Sequence, residues 1–155
     1  MRLWVWMLLA AWPAQAQDDA PAVNAMVLDQ CSASDLAEGC IGMGARLCVS
    51  EYGAMAQGLC AGAETAYWRA RAEAALAILR PRAPEIMARA ARLGWPEPQP
   101  SLEAVEAGFA AYRDAACGWR MAQWDGVHAG FEGADCDLQL TARHALWLER
   151  QARVE

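Results

Sequence analysis

The stretch from Arg113 to Cys136, RDAACGWRMAQWDGVHAGFEGADC, gathers two cysteines, one histidine, four carboxylates and two tryptophans. Three chemistries could use such a set: a metal clip, a catalytic centre or a covalent staple. Zinc ligands come in tight pairs such as C-x2-C or H-x3-H. Here Cys117 and Cys136 lie 19 positions apart, and the only histidines, His128 and His144, are not locally paired. No metal is expected, and nothing calls for a cofactor. A Ser or Cys nucleophile needs a base within reach and a group to orient it. The serines are Ser32, Ser34, Ser50 and Ser101, none of them in a G-x-S-x-G elbow. Carboxylate pairs that cleave glycosides are defined by their separation in the fold, and nothing in the sequence singles out Asp125 or Glu132. No catalytic residue is assigned. The staple needs only that Cys117 end one helix and Cys136 begin the next, across a connector holding Gly126, Gly130 and Gly133.

Disulfides also need an oxidising compartment, and the N-terminus supplies the argument for one. Arg2, an apolar run from Leu3 to Trp12 and the small tripeptide Ala14-Gln15-Ala16 read as a secretory signal cleaved after Ala16. The run is far shorter than the roughly 20 residues that cross a bilayer core. No cysteine sits at the junction, so no membrane anchor is expected. The destination is periplasmic or secreted.

Removing 16 of 155 residues leaves 139, enough for one modest domain. Twelve arginines, no lysine and 19 acidic residues then give a net charge of −7. Such a balance argues against nucleic acid and anionic lipid, and suits a basic protein partner. The six cysteines are Cys31, Cys40, Cys48, Cys60, Cys117 and Cys136. An even set outside the cytoplasm reads as disulfides, with fifteen pairings open. Local loop closure costs least entropy and favours neighbours. The main rival exchanges Cys31–Cys48 with Cys40–Cys60.

The elements that must position these residues read as helices. Residues 17–30 are taken as a flexible arm, with 31–153 as a single domain, and short helical turns are expected between Met26 and Leu59. Cys60–Arg80 is a confident helix, rich in good helix formers, with Trp68, Ala72, Ala75, Leu76 and Leu79 on one face. Pro84–Leu93 follows, then a Pro-rich extended connector, with Ser101 as cap for the next helix. That helix, Leu102 to about Gln123, carries Leu102, Val105, Phe109, Tyr112, Ala116 and Trp119 as an expected core seam. A last helix is expected from about Ala134 to Arg153. The fold class is all-α: a small disulfide-stapled helical bundle whose two long C-terminal helices form a hairpin.

Taken together, YRDAACGWRMAQWDGVHAGFEGADC and the following LQLTARHALWLE resemble the closing motif of the LprI-like lysozyme-inhibitor family. The matching residues are Arg113, Asp114, Cys117, Cys136, Thr141, Leu146 and Leu148. Upstream, Cys48 and Cys60 resemble that family's N-terminal cysteine pair, and the Trp-bearing helix ETAYWRARAEAALAIL follows. The resemblance implies Cys48–Cys60 and Cys117–Cys136 bridges, which leaves Cys31–Cys40 as the neighbouring pair. It implies a non-catalytic, protein-binding domain and names a partner class, the lysozyme-type muramidases. An envelope assembly factor and an uncharacterised hydrolase are the alternatives. For the contact surface, Trp124, Asp125, Glu132 and Asp135 on the stapled connector are the candidates. The competing expectation is that Trp124 closes the end of the core and the acids are merely solvated.

Overall fold

The computed structural model describes residues 20–34, 36–96 and 101–154. The expected leader, residues 1–16, lies outside them, as does most of the Pro-rich connector. Six α-helices follow in order: α1 Ala25–Ser32, α2 Met43–Tyr52, α3 Gln57–Leu79, α4 Ala83–Arg92, α5 Leu102–Met121 and α6 Val127–Arg153. Short 3-10 turns at Ala37–Cys40, Ala54–Ala56 and Arg80–Arg82 link the shorter pieces. Among the described residues there is no strand.

α3 and α6 form the central pair, with α5 laid along α6 and α2 along α3. The facing surfaces of α3 and α6 are rich in alanine, with Ala61, Ala75, Ala142 and Ala145 all buried. Small side chains let two helix backbones approach, and the remaining volume is filled by Trp68, Leu138 and Leu146. A second layer of Leu76, Leu79 and Leu148 closes the far end. The apolar face expected on the first long helix is the one that is buried.

Three expectations are corrected. The flexible arm does not reach residue 30, because Ala25–Ser32 is helical and Leu28 is fully buried. Asn24 starts that helix by accepting a hydrogen bond from the Val27 N–H at 3.2 Å, the usual N-cap device. The second correction concerns α5. Leu102, Val105, Phe109 and Ala116 lie toward the protein, but Tyr112 and Trp119 are 61% and 74% exposed. The inward line runs instead through Arg113, Cys117 and Arg120. Third, α6 begins at Val127, so most of the expected Gly-rich loop is helix. Only Ala122–Gly126 connects α5 to α6. Gly126, at φ 61° and ψ −140°, supplies a conformation that side-chain-bearing residues avoid.

The disulfides pair neighbours: Cys31–Cys40, Cys48–Cys60 and Cys117–Cys136, with Cα separations of 5.9, 5.6 and 5.4 Å. The first ties α1 to the following 3-10 turn, the second ties α2 to α3, and the third ties α5 to α6.

Candidate functional site

The α5–α6 hairpin end is fastened twice. Cys117–Cys136 is the covalent link. One helical turn closer to the tip, Arg120 reaches from α5 to two acids on α6, with Nη2 at 2.6 Å from Glu132 and 3.0 Å from Asp135. Its Nε also donates to Glu132 at 2.7 Å. That hydrogen bond, ahead of every other influence, holds the Arg120 guanidinium above its usual range. Beside these links the Met121 side chain lies over buried Gly133, where a Cβ would stand 2.7 Å from Met121 Cγ. Gly133 is therefore a contact surface for α5, not a loop residue.

The four candidate contact residues separate accordingly. Glu132 and Asp135 are engaged with Arg120 on α6. Trp124 and Asp125 sit in the connector itself. Trp124 is 48% exposed, with its ring 5.9 Å from the His128 ring. Asp125 is exposed, and its carboxylate has no partner among the described residues. The connector thus presents one half-exposed indole and one uncommitted carboxylate on a rigid base.

Behind the hairpin, Asp137 of α6 gathers a second ionic cluster. Arg69 of α3 reaches its Oδ2 at 2.6 Å, and Arg113 of α5 reaches its Oδ1 at 3.3 Å. The Thr141 hydroxyl donates to Asp137 at 3.3 Å. Arg69, Arg113 and Asp137 line a groove of about 410 Å³ beside the Cys117 bridge. Its two cations already face Asp114 and Asp137, so the groove fastens three helices and offers no vacant anion site.

Among the described residues no serine or cysteine is paired with a base. All six cysteines are bridged. Ser32, Ser34 and Ser50 donate to nearby carbonyls, and Ser101 caps α5 by accepting from the Ala104 N–H. His144 bonds Glu106 at 2.8 Å and lies flat between the Phe109 and Trp147 rings. Among the described residues no group of three His, Cys, Asp or Glu could hold a metal, and no helix is long and apolar enough to cross a membrane.

Residues 48–148 match the family described as lysozyme inhibitor LprI. The chain belongs to that family. Comparison with curated proteins and with solved structures gives no match. The LprI match begins at Cys48 and ends at Leu148, so α1 and the Cys31–Cys40 bridge precede it. Within the match, the R-D motif and Thr141 meet around Asp137, while Leu146 and Leu148 are core.

Two groups in this LprI chain escaped the sequence reading. Glu64 is fully buried and accepts from Gly42 N at 2.8 Å, Ala45 N at 2.7 Å and Trp68 Nε1 at 2.9 Å. It caps α2 from a different helix. The available signal was phase, since Glu64 stands one helical turn before buried Trp68 on the same face. The other is Arg71, which binds Glu149 through Nε at 2.6 Å and Nη2 at 2.8 Å and also reaches Tyr67 and Ser32. Burial alone pulls the Arg71 guanidinium down, but the bonds to Glu149 and Tyr67 outweigh it and hold it above its usual range. No local pattern announces a pair 78 residues apart.

Proposed function

We propose that this protein is an exported, non-catalytic inhibitor that binds a lysozyme-type muramidase through the α5–α6 connector. Trp124 is the anchor and Asp125 the orienting acid. The observation that carries the reading is the pairing of family membership with this one exposed indole-carboxylate set on a doubly fastened hairpin. Binding hot spots are enriched in tryptophan, and loops on rigid scaffolds are common contact sites. A half-exposed indole loses little water-free packing when free, yet offers a large apolar face to a partner. An uncommitted carboxylate beside it meets a basic surface without first breaking an internal ion pair. Glu132 and Asp135 lack that advantage, so they serve the scaffold. The net negative charge of the chain speeds encounter with a basic enzyme through electrostatic steering.

The test is a turbidity assay of muramidase activity titrated with the oxidised mature protein, at low and at high salt. Inhibition that weakens as salt rises supports the proposal. A protein that leaves several basic muramidases fully active, yet co-purifies with another envelope protein, would return the connector to an assembly role.

A further inference from the structure

We infer that the groove between α2, α3 and α6 is a binding site for a short peptide with small side chains and a free C-terminal carboxylate, whatever the connector binds. The groove has a volume of about 410 Å³, within the usual range for small-ligand sites. Ala45, Ala61 and Leu138 line it, and all three are buried. Polar side chains reach it from each helix: Arg46 from α2, Gln57 from α3, and Asp135 and Gln139 from α6. An apolar lining with a few polar groups is the ordinary composition of a ligand site.

Two of the donors converge. Gly42, at φ 80°, holds a backbone conformation that calls for glycine, and the missing side chain leaves an opening in the wall. A Cβ there would stand 3.1 Å from Arg46 Nη1 and 3.7 Å from Gln139 Nε2. A guanidinium and an amide NH2 from different helices thus approach one point, where an anionic oxygen can meet both. Neither is engaged elsewhere. Among the described residues Arg46 has no carboxylate partner, and the side chains of Gln57 and Gln139 make no hydrogen bond. The acids nearby are already satisfied. Asp135 is held by Arg120, and buried Glu64 by the N–H groups of Gly42, Ala45 and Trp68. On a strongly acidic chain this groove is a local cationic spot.

The class of ligand follows from the lining. Hydrogen bonds between ionised groups are the strong ones, so Arg46 selects a carboxylate. A primary amide both donates and accepts, which suits a peptide bond better than a plain hydrocarbon acid. A C-terminal carboxylate stands beside its own peptide amide, so Arg46, Gln139 and Gln57 can engage the two together. A side-chain carboxylate is set further from the backbone it belongs to. The two alanines and one leucine of the floor suit methyl-sized side chains.

The test titrates N-acetyl-alanyl-alanine into the oxidised mature protein, without any muramidase, and follows the Arg46, Gln57 and Gln139 side-chain signals by heteronuclear NMR. For a ligand of this size the expected dissociation constant is on the order of 1 mM, with the three signals moving together. The C-terminal amide of the same peptide should bind about tenfold more weakly. So should N-acetyl-aspartyl-alanine amide, whose one carboxylate is on a side chain. Arg46→Gln, at an exposed position, should weaken binding of the acid by about tenfold. Arg92→Gln, at an exposed arginine outside the groove, should leave it unchanged. Thermal melting of both variants confirms that the fold is retained. An unchanged spectrum at about 10 mM peptide overturns the inference. So does equal binding of the acid and its amide, equal binding of the aspartyl peptide, or an effect of Arg46→Gln no larger than that of Arg92→Gln.

Discussion

A buried carboxylate is costly unless its lone pairs are met, and Glu64 meets the Gly42 and Ala45 N–H groups together with the Trp68 indole N–H. Gln at this position keeps the shape but replaces one acceptor oxygen with an NH2 that faces a donor. We expect Glu64→Gln to cost about 3 kcal/mol, read as a lowered midpoint in urea unfolding. Neighbouring Gly44 has no room to adjust, since a Cβ there would stand 3.1 Å from Leu28 and Val23 atoms and 3.2 Å from the Glu64 carboxylate. At the connector, Trp124→Ala should weaken muramidase inhibition about 30-fold, the loss of roughly 2 kcal/mol typical of a hot spot. The melting temperature should hardly move, because the ring is half exposed. Asp125→Ala should slow association several-fold at low salt and match wild type at high salt. Glu132→Ala should leave inhibition intact, with Arg120 still held by Asp135. Trp124 and Asp125 are candidates from residue type and neighbourhood, to which the structure adds their exposure. Glu64 was not legible, because glutamate is a good helix former that normally marks a solvent face.

At the scale of the element, α5 shows where a pattern stops being informative. A three-four alternation averages 3.5 residues per step, and on a straight helix it drifts by about 20° each heptad. Leu102, Val105 and Phe109 start the line toward the protein, and by Trp119 it has rotated into solvent. Cys117, bridged to α6, fixes which side is inward. Arg113 and Arg120 continue that side as ion-paired cations, which a hydrophobicity pattern cannot register. The start of α6 was missed for a related reason. Gly130 and Gly133 look like loop residues, yet Gly133 is helical and buried beneath Met121. The double fastening gives a test. Replacing Cys117 and Cys136 by serine together should cost about 3 kcal/mol for a loop of this size. Helical content should be retained, because the Arg120–Glu132 pair and the Asp137 cluster still join the helices. Paired urea titrations followed by circular dichroism measure both quantities.

At the scale of the whole molecule, one polar cluster joins α1, α3 and α6. Tyr67 donates to Asp29 at 2.7 Å and accepts from Arg71 at 2.9 Å, while Arg71 holds Glu149. Burial first, then the bond to Asp29, pushes the Tyr67 hydroxyl above its ordinary value of 10.0. A raised folded-state value means the stabilisation is complete below the unfolded tyrosine value and falls as pH climbs past it toward the folded one. Stability should therefore decline on the alkaline side from about pH 10 upward, and Tyr67→Phe should flatten that limb while lowering stability at neutral pH. Thermal melts across an alkaline series decide this. The bundle class and its C-terminal hairpin were legible from helix formers, prolines and cysteine order. The docking of α1 was not, because a short helix held by Leu28, Tyr67 and Arg71 depends on partners about 40 residues away.

The bridges also bear on how the chain matures. Each joins a cysteine to the next one along, at separations of 9, 12 and 19 residues. A polypeptide emerging N-terminus first presents Cys31 and Cys40 before Cys48, completes Cys48–Cys60 next, and closes Cys117–Cys136 last. Pairing each thiol with the nearest available one gives the native set at every stage, so no wrong bond has to be undone. A simple oxidase should suffice, and a disulfide isomerase should add nothing to the yield. Oxidative renaturation of the reduced chain with oxidant alone, scored by non-reducing peptide maps, should recover the native pairing as fully as with isomerase present. A yield that rises several-fold when isomerase is added would mean that Cys40 and Cys48 exchange partners on the way.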